Sequence, residues 1–294
     1  MTFKRIIRRL LICTNGLWDD ELYLKYLFKL SGGQYTLDLS CPKTLNEKFN
    51  WNKLHDHNVL YHKMVDKYEV KKIVASIIGN EYVVPCYGVW ERPEDVDIES
   101  LPEQFVLKAT HDSSGVFICK DKQLLSKNDI TNHFKHWKTS HYQAAREWVY
   151  KDVKPRIIAD QFIDDKSGHE LTDYKFWCFN GEPQLMYITN KGANVTENFY
   201  DLNFNPIDIY HGFPRHKPEY EKPAQFELMK SLCVELLRDL KPSFVRVDFF
   251  NVNGRVYFGE FTFYDWGGYQ PFASYEMDLE LGGLMRIKQN EIIL

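Results

Sequence analysis

The sequence predicts an α+β fold, and three observations carry that reading. Over residues 1–100 apolar side chains recur at i, i+3 and i+4, the period of a helix with one buried face. From residue 101 onward strands predominate, as short apolar runs with one intervening helical stretch. Between two of these runs sits Asn180-Gly181, a strong signal for a two-residue hairpin and hence for antiparallel pairing. In chain order, helices are expected over 19–30 and 58–78, the second stopped by Gly79 and Asn80. A short strand over 82–84 runs into Pro85. Strands follow at 105–108, 116–119, 156–163, 174–179 and 184–189, with one helix over 127–150. A helix over 224–239 and a hairpin of 244–251 with 255–263 complete the reading. Three regions result: 1–100, mostly helical; 101–190, strand-rich with a candidate phosphate loop; and 191–294, which contains a charged hairpin.

Composition removes several function classes. The 37 basic and 41 acidic residues leave a net charge of −4, so the basic field behind non-specific nucleic-acid binding is missing and no nucleic-acid partner is expected. An aromatic content of 15% argues against disorder. It is compatible with a strand-rich core or with a surface that stacks on sugars or bases. No run approaches the roughly 20 apolar residues of a spanning helix. The first 13 residues are apolar but interrupted by Arg5, Arg8 and Arg9, and they lack a small-residue cleavage site. They read as a surface helix, or as a basic amphipathic segment touching an anionic membrane. The six cysteines are widely spaced, which points to reduced thiols and a cytoplasmic protein. The pairs His55/His57 and His133/His136 have no third ligand at a metal-site spacing.

Three segments carry chemistry. Lys108 ends an apolar strand and is followed by a loop with Thr110, Ser113, Ser114 and Gly115, whose hydroxyls and amides suit a phosphate. The loop is not a Walker A sequence, and the alternative is a simple turn. Lys175 shares a strand face with Trp177 and Phe179, where a charge needs a partner or must snorkel to water. In the apolar 244–263 hairpin, Arg246, Asp248 and Glu260 stand out, because unpaired charges there are costly. A two-residue Asn253-Gly254 turn would put Asp248 and Glu260 on opposite faces. A three-residue turn, Val252-Asn253-Gly254, puts all three charges on one face, and this is the expected geometry. With Thr262 beyond them, the carboxylates form an oxygen-rich site that suits Mg²⁺ better than zinc. The alternative is a buried salt-bridge cluster.

Six stretches in order resemble the TupA-like (teichuronopeptide biosynthesis) branch of the ATP-grasp superfamily, which is associated with bacterial surface and capsule polysaccharide. They are Leu45-Asn-Glu-Lys-Phe, Asp66-Lys-Tyr-Glu-Val, Phe105-Val-Leu-Lys, Asp173-Tyr-Lys-Phe-Trp-Cys-Phe-Asn-Gly, Phe244-Val-Arg-Val-Asp-Phe and Tyr257-Phe-Gly-Glu-Phe-Thr-Phe. The resemblance spans about 45–284 and implies two α+β subdomains clamping ATP behind a helical N-terminal region. It implies that Lys108 and Lys175 contact the ATP phosphates under the 110–115 loop, and that Asp160, Gln161, Phe162 and Ile163 meet adenine. It implies Mg²⁺ on Asp248, Glu260 and Thr262, the last standing where the common pattern has Asn. Arg246 would steady the transferred phosphoryl group. The implied activity is a carboxylate–amine ligase that joins an amino acid or small amine to a hexuronic acid of a nucleotide sugar or polysaccharide. A glycosyltransferase and a non-catalytic carbohydrate-binding module are the alternatives. The expected setting is cytoplasmic, with a peripheral contact of the Arg-rich N-terminus to the inner membrane or to a polysaccharide-synthesis partner left open. Trp266, Tyr269 and Phe272 form a candidate sugar platform.

Overall fold

The computed structural model describes residues 7, 10–112, 115–137, 141–166, 171–190 and 195–287. Helix α1 (Asp20–Leu30) starts at Asp19, whose carboxylate accepts the Leu22 amide. Helix α2 (Leu45–His55) starts at a reciprocal capping box between Thr44 and Glu47. The apolar period does not mark α2, because its buried residues include Asn46, Glu47, Asn50, Asn52 and Lys53. The helix expected over 58–78 is two helices, α3 (Leu60–Val65) and α4 (Glu69–Ile78). They part at Asp66, whose carboxylate accepts the Tyr68 amide at 2.8 Å and the Glu69 amide at 3.1 Å and so opens a new helix. The strand expected over 82–84 gives way to a 3₁₀ turn at Asn80–Tyr82. The real strand, β1 (Cys86–Trp90), begins after Pro85, which has no N–H for a ladder.

Strands β2 (Phe105–Ala109) and β3 (Val116–Cys119) lie where expected. The helix expected over 127–150 breaks into α5 (Lys127–His133), α6 (His141–Ala145) and a 3₁₀ turn at Trp148–Tyr150. Arg146 is left-handed at φ 54°, and its guanidinium reaches Asp20 at 2.6 Å and the Asn15 carbonyl at 2.5 Å. This tertiary anchor overrides the local helical period. With β4 (Ile157–Gln161), these strands form an antiparallel sheet of order β1-β4-β2-β3.

The second sheet holds β5 (Asp173–Phe179), β6 (Glu182–Asn190), β7 (Thr196–Tyr200), β8 (Pro206–Ile207), β9 (Phe244–Val252) and β10 (Arg255–Thr262). Its order is β10-β9-β5-β6-β7-β8. Helices α7 (Phe226–Leu237) and α8 (Tyr275–Leu284) follow β8 and β10. Asn180 and Gly181 are both left-handed, as the β5–β6 hairpin turn requires. Registers place Asp248 beside Lys175, Lys175 beside Tyr187, Arg246 beside Trp177, Asp173 beside Thr189 and Thr189 beside Glu197. These side chains therefore share one face. On the opposite face Phe176, Met186, Val247 and Phe249 pack with Phe226, Met229 and Cys233 of α7 in the main apolar core. Each large apolar side chain buried there contributes roughly 1.5–3 kcal/mol. Among the described residues, no helix is long and apolar enough to cross a membrane.

Candidate active site

The β9–β10 hairpin has a two-residue turn, not the expected three-residue one. Val252 pairs with Arg255, and Asn253 and Gly254 are both left-handed, at φ 52° and 82°. That register alone would send Glu260 to the far side of the sheet. Instead the pairing slips: Phe258 faces Phe249, but Phe261 faces Val247, so Gly259 and Glu260 together oppose Asp248. This bulge turns Glu260 back onto the face of Arg246 and Asp248. Glycine suits the site because a Cβ at 259 would stand 3.1 Å from the Asp248 carbonyl oxygen. A lone glycine within a strand pattern is the signal for a bulge, and it was available in the sequence.

The shared face carries a dense charge network. Lys175 Nζ donates to Asp248 Oδ2 at 2.6 Å and lies 3.3 Å from Asp173. Arg246 donates through Nε to Asp248 Oδ1 at 2.7 Å and through Nη2 to Asp248 Oδ2 at 2.7 Å and Glu260 Oε1 at 3.1 Å. Its Nη1 pairs with Asp265, which also accepts from Trp177 Nε1 at 2.9 Å and from the Tyr187 hydroxyl at 3.1 Å. Lys67 reaches across from the α3–α4 junction to Glu260 Oε2 at 3.0 Å. The Thr262 hydroxyl makes a long 3.4 Å bond to Glu260. Arg246, Lys175, Asp248 and Asp265 are buried, whereas the Glu260 side chain remains one-third exposed (34%).

Burial raises the Glu260 carboxyl pKa, but Lys67, Arg246 and Lys175 outweigh it and hold the group well below the usual range. Burial and Arg246 push Lys175 down, yet Asp248, Asp173 and Glu260 keep it above its ordinary value. Burial likewise opposes ionisation of Asp265, and Arg246 then His211 reverse it. Glu260, Lys175 and Asp265 are thus all favoured in their charged forms.

The four-stranded sheet holds the other cationic site. Asp160, buried on β4, is shared by Lys108 of β2 and Lys71 of α4, each at 3.0 Å. Burial lowers the Lys71 pKa, with Asp160 opposing it. Thr110 is fully buried: its hydroxyl donates to the Lys154 carbonyl at 3.3 Å and accepts the Arg156 amide at 3.2 Å, so it braces the loop from within. Gly115 closes the loop, its carbonyl accepting the Ala109 amide at 2.8 Å. Ser113 and Ser114 lie outside the described residues. Beyond Asp160 the Gln161 amide is spent on the Pro85 carbonyl at 2.9 Å, and Gln161, Phe162 and Ile163 line a cleft of about 490 Å³ with Asn253, Arg255 and Tyr257 of the β9–β10 hairpin. A second cleft of about 540 Å³ runs past Lys71, Val84 and Cys86, and Arg255 borders both. Lys67 joins the two sheets: its amide donates to the Thr110 carbonyl at 3.0 Å while its ammonium holds Glu260.

Asp248 and Glu260 fit a divalent cation as a two-carboxylate site. Both accept from Arg246 Nη2, so they face the same space, and they are the residues that would hold such an ion. Among the described residues no group of three or more His, Cys, Asp or Glu could hold a metal ion. Two hard oxygen donors suit Mg²⁺, which keeps most of its shell for water and phosphate, and not zinc.

Four residues of these networks had no role in the sequence reading. Lys67, Asp173 and Asp265 stand inside or beside stretches singled out there, and Lys71 lies one turn beyond Lys67. Of the proposed aromatic platform, Tyr269 and Phe272 are buried and pack, while Trp266 is 43% exposed. Arg5, Arg8 and Arg9 lie outside the described residues.

No curated protein matches the chain in sequence. Among solved structures it is similar to a D-alanine–D-alanine ligase from Helicobacter pylori, at 17% identity and TM-score 0.44, over 76% of this chain and 58% of that one. The D-alanine–D-alanine ligase from Bacillus anthracis complexed with ATP gives 15% and 0.40, over 68% and 53%. The D-cycloserine synthetase DcsG gives 17% and 0.38, over 76% and 66%. The chain spans little more than half the length of those D-alanine–D-alanine ligases. The model of the TupA-like ATPgrasp family matches residues 47–286, which takes in both sheets and every charge network described above; the chain belongs to the TupA-like ATP-grasp family.

Proposed function

We propose that the chain is an ATP-dependent carboxylate–amine ligase. The observation that carries this reading is Lys67, which ties the loop beyond Lys108 to the Glu260 carboxylate and so links the two groups of charged side chains. A carboxylate resists attack by an amine at neutral pH. Phosphorylation by ATP turns one of its oxygens into a leaving group, and the amine then displaces phosphate to leave an amide. Such chemistry needs positioning and charge neutralisation more than a covalent nucleophile. In this reading Lys108 and Lys175 hold the ATP phosphates, the cleft beside 160–163 takes the base, and the 110–115 loop covers the triphosphate. Asp248 and Glu260, with Thr262 beside them, hold Mg²⁺, which supplies charge neutralisation at the phosphates when bound. Arg246, oriented by Asp248 and Asp265, steadies the phosphoryl group in transfer.

For the acyl substrate we infer a hexuronic acid of a nucleotide sugar or surface polysaccharide, and for the acceptor an amino acid or small amine, in keeping with the family. The same reading places the chain in the cytoplasm, and deleting residues 2–10 tests whether the N-terminus holds it at the inner membrane. The ligase reading is tested by ADP release from ATP–Mg²⁺ with uronic acids and amines supplied singly and together. Release that needs both, and that falls at least about a thousandfold in Asp248→Asn with Glu260→Gln, is expected. Sugar transfer from a nucleotide sugar without ATP would overturn it.

A further inference from the structure

Beyond the phosphoryl-transfer face, the same side of the six-stranded sheet holds a second set of buried polar groups. Glu197 of β7 is 1% exposed and His211 is 2% exposed. Glu197 Oε1 accepts the Trp266 indole N–H at 3.0 Å, but Oε2 has no hydrogen-bond donor. His211 Nδ1, 3.7 Å from Oε2, has no hydrogen-bond partner either. Thr189 stands directly across the β6–β7 ladder from Glu197, and its buried hydroxyl oxygen is also unpartnered. Cross-strand pairs on one face bring their Cβ atoms to about 5 Å. Three buried polar atoms therefore lie on this one face with no hydrogen bond made, and leaving even one such group unsatisfied is costly.

The surroundings define what is missing. Burial, then the neighbouring Asp265, raise the Glu197 pKa to about 8, and burial lowers that of His211 to about 4. A cation with several N–H donors seated here would pair the unpartnered atoms and favour the ionised form of Glu197. Trp266, half-exposed, covers Glu197 and turns its indole N–H edge to it, with Phe213 tilted against the ring at 4.8 Å. Trp266, Gly267 and Gly268 are all left-handed, at φ 46°, 65° and 66°. Helix α2 holds that loop: Lys53 donates to the Gly267 carbonyl, Asn50 to that of Gly268 and Asn46 to that of Gln270. Consecutive residues of the loop point to the two sites, Asp265 to Arg246 and Trp266 to Glu197.

We propose that Glu197, His211 and Thr189 form the seat of a primary ammonium group, whose three N–H donors would satisfy these three unpartnered atoms, with the Glu197 carboxylate as its counter-charge. The identity of this ammonium as the amine co-substrate rests on the ligase reading; its binding does not.

The test is a thermal-shift titration of the full-length protein with methylammonium chloride. Tetramethylammonium chloride, which has no N–H donor, serves as the control at equal ionic strength, and ATP–Mg²⁺ is tested in parallel. Methylammonium is expected to raise the melting temperature by mass action, and tetramethylammonium is not. Glu197→Gln, whose amide can donate to His211 in the ligand's place, is expected to need at least about tenfold more methylammonium for the same shift. Thr189→Val is expected to need a few-fold more. A wild-type protein indifferent to methylammonium, equal responses to both salts, or a Glu197→Gln response equal to wild type overturns the proposal. Should Glu197→Gln fail to fold, an unchanged response in Thr189→Val does the same. Failure of ATP–Mg²⁺ to shift the wild-type protein contradicts the ligase reading instead, and the two failures are thereby told apart.

Discussion

In the four-stranded sheet one carboxylate, Asp160, is shared by two lysines that each make a single contact to it, and the Lys108 side chain is 26% exposed. In the six-stranded sheet one guanidinium, Arg246, touches three carboxylates and a tyrosine hydroxyl, and nearly all of it is buried. The first arrangement lets Lys108 change partner without stranding Asp160, because Lys71, held also by the Val84 carbonyl at 2.8 Å, stays paired with it. The second is over-determined, since each member is held by at least two others. That difference separates a loosely held cluster from a rigidly held one. The hydrophobic support differs in the same sense. The six-stranded sheet sits in the large core that includes α7 and α8, whereas the smaller sheet has a separate, smaller cluster built on Phe105, Leu107, Ile157 and Phe134.

Removing the central cation should expose the contrast most strongly. Arg246→Met leaves Asp265 and Asp248 buried without their main partner, and a loss of about 3–5 kcal/mol in denaturant unfolding is expected. Lys108→Met leaves Asp160 with Lys71 and should cost about 1 kcal/mol, while weakening ATP binding more than stability. Equal losses in the two variants would break the comparison.

Acid should act on the six-stranded side through His211. Its folded pKa of about 4 lies below the ordinary 6.5, so its contribution to stability is present above pH about 6.5 and is lost as pH falls through about 4. The loss is on the order of 3 kcal/mol. Glu197 acts with the opposite sign: its raised pKa contributes stability below pH about 4.5 that is lost as pH rises through about 8. Unfolding followed against pH in His211→Asn should therefore lose the part of the acid limb between pH about 6.5 and about 4 and keep the alkaline one. An unchanged acid limb would show that His211 is not held neutral by the fold.

The smallest effect sharpens the account of how the face is built. Gly259→Ala pushes a methyl against the Asp248 carbonyl and is expected to cost about 1–2 kcal/mol. It should also disturb Glu260 enough to lower ADP release more than that stability loss alone would. A neutral Gly259→Ala would mean that the bulge tolerates any residue.

Much of the site was legible from residue chemistry. Arg246, Asp248, Glu260 and Lys175 stood out as charges in apolar strands, and charges so placed must find one another. How they do so was not legible. The turn was read as three residues because that was the simplest way to bring equal-parity residues together, and the molecule uses a bulge at Gly259 to the same end. Helix α2 escaped notice because the face it buries is polar: Asn46, Asn50 and Lys53 serve backbone carbonyls of the 267–270 loop, and hydrophobic periodicity carries no trace of that task. The breaks at Asp66 and Arg146 have the same origin, a local or distant polar contact that outweighs the helical period. Lys67 and Asp265 were missed because each finds its partner across the chain, at Glu260 and Arg246.

The proposed dependence of nucleotide binding on Mg²⁺ rests on Asp248 and Glu260, brought to one face by the bulge. It is tested most directly by measuring the melting temperature with ATP in the presence and absence of Mg²⁺, in the wild-type protein and in the Asp248→Asn, Glu260→Gln double variant. ATP is expected to stabilise the wild-type protein, and more so with Mg²⁺, whereas the ATP response of the double variant is expected not to change with Mg²⁺. A Mg²⁺-dependent shift of full size in the double variant would contradict it.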